Sequence, residues 1–435
     1  MSIAQGQQAG RAVRPDAGRR AVIAGTLGNI LEWYDFAVYG FLVPSLAAAF
    51  FPKASHLAQL LFTFGVLGVG FVMRPVGSIV IGYYGDRAGR RAALTFTVGL
   101  MGLSTVAIGL LPTYAAAGVW APVLLTLARL AQGFSAGGEW GGAAAFLVEY
   151  APDGRRGYVG SWQQFSVGGG LLLGSAIATL LAGVLGPAAM AAWGWRVPFL
   201  LGVLPAGFAA WFRARLPDTP EFEAVAQHHA VSANPLREML AEHRGALLTQ
   251  FGLTIHNTIS YYITLFYLPS WLTFEVKLPH GEALAISTLG LLLLVAVIPP
   301  LGALSDRVGR KPLMVGSCAG FIVFCYPLYR LAASGGFAAV LFAQCALVLM
   351  TALFTAGAPA TFAELFPTRV RYSGLSVGYN AAVMVFGGFA PFIATWLIAA
   401  TGSSLAPTFY VIAGAVVTLL FVLRMRETAF MSLRA

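Results

Sequence analysis

Charged side chains are scarce in this sequence. Only 10% of its 435 residues are Asp, Glu, Lys or Arg, whereas 58% are hydrophobic. Soluble domains carry about 25% charged residues, so this chain has too few polar groups to cover a globular surface. The composition excludes a water-soluble protein and predicts that lipid is the main solvent. The 51 glycines and 23 prolines agree with this, because both are commoner in membrane helices than in soluble ones.

Cysteine is also rare, and the motifs of two large enzyme classes are missing. Cys318, Cys325 and Cys345 lie in apolar stretches without a CxxC pair. We interpret them as small buried hydrophobic residues and expect neither a metal site nor a cofactor. The sequence has no G-x-x-x-x-G-K-[ST] loop for ATP and no H-E-x-x-H zinc site. These absences argue against an ATP-driven pump and against an enzyme.

Long apolar runs account for most of the chain. A helix needs about 20 mostly apolar residues to span a bilayer, and these runs do not alternate as barrel strands do. We therefore predict an all-α membrane protein with twelve spans. The predicted spans are 21–50, 58–84, 92–112, 121–148, 158–186, 196–214, 246–274, 284–304, 312–332, 337–363, 373–400 and 406–424.

Acidic residues are outnumbered, with 17 Asp and Glu against 27 Lys and Arg and a formal net charge of +10. Most of the basic residues fall in loops on the side that holds both termini. The exceptions are Lys53, Arg196, Lys277 and Arg330 on the other side and Arg74 and Arg129 inside spans. The positive-inside rule then predicts cytoplasmic termini in a bacterial inner membrane. The charge is a topology signal and requires no nucleic-acid partner.

The loop after predicted span 2 is repeated after span 8, with each key residue 220 positions later. The first copy contains Gly82, Asp86, Arg87, Gly89 and Arg90, and the second contains Gly302, Asp306, Arg307, Gly309 and Arg310. Six spans separate the copies, so both halves keep the same orientation. The repeat predicts two six-helix bundles related by an axis along the membrane normal, a plan known among transporters.

Two looser echoes support the same division. Glu149–Pro152, followed by Arg155 and Arg156, matches Glu364–Pro367, followed by Arg369 and Arg371; Asp218 and Thr219 match Glu427 and Thr428. We predict a cytoplasmic tail over 1–20, bundles over 21–215 and 246–426, a linker over 216–245 and a second tail over 427–435.

We interpret the repeated loops as gates. Each Asp closes a helix end beside basic residues, and the glycines permit a tight turn. The alternative is that these charges only enforce topology.

The doubled G-x-x-x-D-R-x-G-R-[RK] loop resembles the signature of the major facilitator superfamily. Other runs are similar to one of its subgroups, the metabolite:proton symporters, which includes proline/betaine transporters and citrate and α-ketoglutarate permeases. These runs are Gly28–Phe36, Met73–Gly77, Gln132–Trp140, Trp193–Phe199 and Phe366–Arg371. The resemblance implies alternating access and symport driven by the proton gradient. His256–Tyr262 is similar to the osmolyte branch, whereas Phe386–Pro391 is similar to citrate carriers.

Ionisable residues inside spans are candidates for proton coupling, because each costs about 2.5–3.5 kcal/mol to insert. Glu32 and Asp35 are three residues apart and share a helix face. We hypothesise that Asp35, with Glu32 and Glu139 as further candidates, binds the coupling proton. Arg129 either pairs with these carboxylates or meets an anionic substrate. A fixed ion pair between Asp35 and Arg129 is the alternative.

Other polar residues are candidates for substrate contact. Arg74 precedes Pro75 and suits a carboxylate, as Arg129 does. The candidates in the second half are His256, Asn257, Tyr261, Tyr262, Tyr379 and Asn380. Tethering of helices by Arg74, internal hydrogen bonding by His256 and simple aromatic packing remain alternatives.

The sequence favours a proton-coupled symporter that imports a small organic acid such as a di- or tricarboxylate. The alternative is a symporter for a zwitterionic osmolyte such as proline or betaine, held in part by cation–π contacts. A passive channel and a ligand sensor are competing classes. The expected partners are the substrate, protons and the lipid bilayer, and the expected state is a monomer.

Overall fold

The structure is a computed structural model, and it describes residues 26, 29–30, 33–88, 90–137, 139–149, 151–213, 241–431 and 433. Within these ranges the chain is helical and contains no strand. The helices of the first half are α1 (Trp33–Phe41 and Val43–Phe50), α2 (His56–Ala88), α3 (Arg90–Leu110), α4 (Trp120–Ala136 and Glu139–Glu149), α5 (Arg156–Gly194) and α6 (Arg196–Leu201 and Val203–Arg213).

The second half repeats the same order. Its helices are α7 (Arg244–Tyr261, Tyr262–Tyr267 and Leu268–Phe274), α8 (His280–Val308), α9 (Arg310–Ala333), α10 (Phe337–Thr355 and Ala358–Glu364), α11 (Thr368–Ala382, Val383–Gly388 and Ala390–Thr401) and α12 (Ala406–Arg424). The twelve predicted spans correspond one to one with α1–α12. The predicted N-terminal tail and most of the predicted linker lie outside the described residues, so the domain boundaries stay a prediction.

Several helices are broken rather than continuous. In the described part of the chain seven helices are long and apolar enough to cross a membrane, and the two parts of α1, bent by 67°, form an eighth. The middle turns of α7 (Tyr262–Tyr267) and α11 (Val383–Gly388) are π-helical. Such turns are frequent at functional sites, and the apolar pattern did not reveal them.

The two halves touch near both ends of the bundle. Toward the end that joins α1 to α2, Phe41 of α1 stacks on Phe266 of α7 with ring centroids 6.1 Å apart. Between α5 and α8, Thr288 hydrogen-bonds Ser175 at 2.6 Å and Thr179 at 2.9 Å. The opposite end carries the loops rich in Arg, and we call it the basic end.

Candidate functional site

Arg74 and Arg129 place two guanidinium groups in the core between α2 and α4. Both residues are 1% exposed. The two backbones come close because glycines face each other: a Cβ on Gly133 would overlap the carbonyl oxygen of Gly70, and one on Gly137 would overlap that of Arg74. Gly133 and Gly137 therefore permit the close packing of α2 and α4.

One edge of each guanidinium group is unpaired. Nε and Nη2 of both Arg74 and Arg129 are buried and have no hydrogen-bond partner among the described residues. These two nitrogens form the edge that holds a carboxylate through two parallel hydrogen bonds. Buried donors without partners are costly, so a bound anion would stabilise this arrangement.

Aromatic rings surround the Arg74 guanidinium. Its Cζ lies 4.6 Å from the ring centroid of Phe71, 4.9 Å from that of Phe36 and 5.6 Å from that of Trp33. The Cζ of Arg129 lies 5.0 Å from the ring centroid of Phe36, so both guanidinium groups contact this ring. All these distances are within the range of about 6 Å for cation–π attraction. The rings therefore stabilise two buried cations.

Polar contacts lead from Arg129 toward Asp35. Arg129 donates from Nη1 to Oε1 of Gln132 at 2.6 Å, and Gln132 donates from Nε2 to Oγ1 of Thr105 at 2.6 Å. Asp35 is 3% exposed, lies beside Thr105 and is within electrostatic range of Arg129. Its Oδ1 accepts no hydrogen bond within the described part of the chain. The link between the two charges thus runs through Gln132 and Thr105.

The other predicted proton sites are Glu32 and Glu139. Glu32 lies outside the described residues. Glu139 begins the second part of α4 and accepts a hydrogen bond from Thr97 of α3 at 2.9 Å. Of the described candidates, Asp35 is the one that lies beside the Arg129 relay.

Two predicted tyrosines of α7 reach the same region. The ring of Tyr262 packs edge-on against Phe71 with centroids 5.5 Å apart and stacks on Phe266 at 5.0 Å. Tyr261 lies next to it, with ring centroids 6.3 Å apart. The second half therefore contributes to the wall around the Arg74 side chain.

His256 and Asn257 face the interior of the second half instead. Nε2 of His256 lies 3.2 Å from Oγ of Ser317 on α9, and its ring packs edge-on against Phe321 and Phe354. Oδ1 of Asn257 accepts a hydrogen bond from Thr355 at 3.1 Å. The helices of the second half surround both residues, so the hydrogen-bonding alternative describes His256 better than substrate contact does.

Tyr379 and Asn380 of α11 bind the first half on the basic side of the arginines. The ring of Tyr379 stacks on Trp140 of α4, with centroids 3.7 Å apart and planes 5° apart. Asn380 donates from Nδ2 to the carbonyl of Gly137 at 3.0 Å. Phe362 of α10 packs on the same indole at 6.1 Å. These contacts join the two halves between the arginines and the basic end.

At the basic end, Asp306 joins the two halves. Its carboxylate accepts hydrogen bonds from the backbone N–H groups of Gly157 at 2.7 Å and Tyr158 at 2.8 Å, in the first turn of α5. Arg310 Nη1 lies 2.9 Å from the same carboxylate. A negative charge at a helix N-terminus is favourable. Asp306 therefore latches α5 of the first half to α8 of the second, and its role as a gate stays a prediction.

The remaining gate residues divide into two sets. Gly302 approaches Gly157 and Ser161 so closely that a Cβ would not fit, and Gly309 has a φ of 100°, which favours glycine. Arg307 is exposed. The side chains of the first copy lie outside the described residues, so its gate stays a prediction; its members are Gly82, Asp86, Arg87, Gly89 and Arg90.

Two further ion pairs cross between the halves. Arg371 Nη1 lies 2.7 Å from Glu149 Oε1, and Arg156 Nη1 lies 3.4 Å from Glu364 Oε1. Arg310 also reaches Glu364, at 3.3 Å. From the sequence these residues are predicted only as markers of the repeat. Their matching positions in the two halves were the signal that they act together.

The segment after α12 folds back on the basic end. Glu427 accepts hydrogen bonds from the backbone N–H groups of Arg310, Lys311, Thr428 and Ala429, at 2.9–3.0 Å. Partial burial raises the pKa of Glu427, but these four hydrogen bonds outweigh it and leave the pKa below its usual value.

The same segment also reaches both halves. Thr428 donates to Glu364 at 2.6 Å, and Arg156 donates to the carbonyl of Met431 at 2.9 Å. The residues predicted to form a C-terminal tail are therefore packed against the crossed ion pairs.

A G-x-S-x-G spacing over Gly133–Gly137 does not form a hydrolase site. Ser135 lies within helix α4, is 1% exposed and donates its hydroxyl to the carbonyl of Thr97. A nucleophilic serine of this motif sits instead on an exposed turn between strand and helix.

Comparisons with known proteins agree with this architecture. Residues 21–236 match the family described as "Sugar (and other) transporter", and residues 250–432 match "Major Facilitator Superfamily". A glycine betaine/proline/ectoine/pipecolic acid transporter of Dickeya dadantii is 37% identical and is aligned over 94% of this chain and 84% of its own. A citrate-proton symporter of Klebsiella pneumoniae is 36% identical over 92% and 90%.

Solved structures show the same fold. The xylose transporter of Escherichia coli, in a partially occluded inward-open conformation, superposes with a TM-score of 0.77 at 19% sequence identity, over 96% of this chain and 100% of that one. The twelve helices in two halves, the repeated loop and these relatives together show that this multi-pass membrane protein belongs to the major facilitator superfamily, in its metabolite:proton symporter family.

Proposed function

We propose that the protein is a proton-coupled symporter for a small zwitterion that carries one carboxylate and one ammonium group, such as proline or a betaine. The observation that carries this proposal is the pair of unpartnered guanidinium edges of Arg74 and Arg129 inside an aromatic wall. The relative at 37% identity is named for zwitterionic substrates. These observations favour the zwitterionic osmolyte over the di- or tricarboxylate that the sequence favours.

Charge balance supports a zwitterion. Around the midpoint of the described spans, the buried basic residues are Arg74 and Arg129, and the buried Asp35 offsets one of them. A tricarboxylate would bring three negative charges to a site with two buried guanidinium groups, whereas a zwitterion offers one carboxylate to a guanidinium edge and one ammonium group to the aromatic rings. The other fully buried arginines, Arg310 and Arg371, belong to the latch at the basic end.

We assign the coupling proton to Asp35. An ionised Asp35 attracts Arg129 and so competes with a substrate carboxylate for the same cation. Protonation of Asp35 removes this competition, so proton and substrate favour each other's binding. Gln132 and Thr105 connect Arg129 to the side chain beside Asp35. Substrate and proton would then cross the membrane in one conformational change.

The contacts between the halves define the two gates of this cycle. The stack of Phe41 on Phe266 closes one end, and the Trp140–Tyr379 stack and the crossed ion pairs close the basic end. Alternating access requires that one set breaks while the other holds. We propose that transport leaves the substrate chemically unchanged.

The decisive experiment is uptake into proteoliposomes with an imposed pH gradient. We expect accumulation of labelled glycine betaine or proline that an uncoupler abolishes. Citrate should neither accumulate nor compete. Accumulation of citrate without uptake of either zwitterion would restore the organic-acid function, for which the relative at 36% identity is the precedent. Equilibration that ignores the uncoupler would indicate a channel.

We further propose that the chain works as a monomer in the bacterial inner membrane with both termini in the cytoplasm. The one-sided distribution of Lys and Arg supports this orientation. Reporter fusions at the two termini test it, since a signal from opposite sides of the membrane would contradict it. Light scattering of the purified protein in detergent tests the monomer.

A further inference from the structure

The rings of Trp33, Phe36 and Phe71 form an aromatic cage, and the cage is occupied by the protein's own Arg74. We propose that this cage is the subsite for the substrate's ammonium group, and that Arg74 fills it until a substrate arrives. The ligand class is the N-methylated amino acids, with fully methylated betaines preferred. This inference rests on the proposed function and states which class of zwitterion the site prefers.

The three rings are arranged to enclose a cation. Trp33 and Phe36 come from α1, with centroids 5.8 Å apart, and Phe71 comes from α2, with its centroid 5.5 Å from that of Phe36. All three side chains are at most 2% exposed. Rings from two helices that face one cation form the usual binding site for quaternary ammonium groups.

Arg74 is held in the cage by ring faces rather than by a carboxylate. Its Nε and Nη2 are buried without a hydrogen-bond partner in the described ranges, and Nε1 of Trp33 is unpartnered as well. A residue placed there for structure alone would be expected to satisfy these donors. A substrate carboxylate would satisfy them and draw the guanidinium off the rings, which frees the cage for the ammonium group of the same molecule.

The cage lies where the two halves meet. The backbone of Gly388, in the π-helical turn of α11, is so close to Phe71 that a Cβ would lie 2.5 Å from its ring. Tyr262, which begins the π-helical turn of α7, packs edge-on against the same ring. A change of occupant in the cage is therefore transmitted to two irregular turns of the second half.

This arrangement predicts a definite order of substrates. Methyl groups remove ammonium hydrogens that need hydrogen-bond acceptors, and the rings supply none. Affinity should therefore rise from glycine through N-methylglycine and N,N-dimethylglycine to glycine betaine. 3,3-Dimethylbutyrate, which replaces the nitrogen of betaine by carbon, should bind more weakly by roughly 10-fold or more, because it lacks the cation–π term.

The first test compares Phe71→Leu with Phe64→Leu by calorimetric binding to purified protein. Phe64 lies on the same helix and is equally buried, but its ring packs on Tyr267 outside the cage. Phe71→Leu should reduce the preference for betaine over 3,3-dimethylbutyrate to near unity, and Phe64→Leu should leave it unchanged. Equal weakening of both ligands by Phe71→Leu would overturn the cage.

The second test removes the internal occupant with Arg74→Met. Tetramethylammonium, which has no carboxylate, should bind this variant at least about 10-fold more tightly than the original protein, while glycine betaine binds more weakly. Arg129→Met is the matched control, because it removes an equally buried charge and leaves Arg74 in the cage. If Arg74 acted only through its charge, both variants would bind tetramethylammonium equally well. Tetramethylammonium binding without betaine uptake would uphold the cage and reject the proposed function. Betaine uptake with no effect of either variant on ammonium selectivity would do the reverse.

Discussion

Asp35 is a buried carboxylate whose protonation, in the proposed cycle, frees Arg129 for substrate. Asp35→Asn keeps the shape of the side chain but cannot change its charge. We expect the variant to lose accumulation against a gradient and to retain exchange of internal for external substrate. Counterflow and pH-driven uptake in proteoliposomes separate these two activities. Glu282→Gln, which alters an exposed carboxylate at the start of α8, is the matched control. Full accumulation by Asp35→Asn would move the proton to Glu32 or Glu139.

Single residues also show which parts of the candidate site could be predicted from the sequence. Asp35, Arg74 and Arg129 were found because an ionisable group stands out in an apolar run. Thr105 and Phe71 were not found, because threonine and phenylalanine are common in membrane spans and do not differ in charge from the residues around them. Their roles depend on which faces of α1, α2 and α3 meet, and those faces are set by packing between helices.

At the scale of elements, the contact of α2 with α4 depends on glycine. Gly133→Ala would force a methyl group onto the carbonyl of Gly70, so the helices must separate. Overpacking of this kind costs about 1–3 kcal/mol. We expect a lower melting temperature in detergent and weaker substrate binding, because Arg74 and Arg129 move apart. Gly99→Ala on α3 has open space around it and should be neutral. A Gly133→Ala variant as stable as Gly99→Ala would contradict this account.

The segment after α12 gives a second prediction at this scale. The pKa of Glu427 is lowered in the folded protein, so its contribution to stability is present above the pKa of the unfolded chain and is lost as pH falls through the folded pKa. Glu427→Gln should therefore melt at a lower temperature than the original protein at pH 7. The two melting curves should converge as the pH falls below the lowered folded pKa of Glu427. A constant difference across this range would show that hydrogen-bond geometry, not charge, is what matters.

The limits of the helices were the most predictable feature of the fold, because the length of each apolar run sets them directly. The bend in α1 and the π-helical turns of α7 and α11 could not be predicted. In a π-helical turn the backbone hydrogen bonds shift from i→i+4 to i→i+5. We attribute this shift to packing against other helices, as in the contact of Tyr262 with Phe71. The periodicity of apolar residues in the local sequence does not distinguish a π-helical turn from an α-helical one.

At the scale of the whole molecule, the crossed ion pairs hold the basic end shut. Glu149→Gln should favour opening there, by about 1 kcal/mol or roughly fivefold in population. Labelling of Ser376→Cys, which lies buried against Gly141, reports the opening. The reversal Glu149→Arg with Arg371→Glu should restore protection, and Arg424→Gln, which changes an exposed charge at the end of α12, should have no effect. Labelling unchanged by Glu149→Gln would show that the Glu149–Arg371 pair does not hold this end shut.

The crossed pairs also bear on the origin of the chain. Glu149 and Glu364 occupy matching places in the two halves, as Arg156 and Arg371 do, and each glutamate binds the arginine of the other half. This is the reciprocal pattern of a symmetric dimer, in which one patch on a subunit serves as both surfaces. A single ancestral six-helix chain with one such Glu and one such Arg would have closed on its own copy through both bridges at once. Duplication and fusion would then have inherited a finished interface, leaving the two halves free to diverge in their cores.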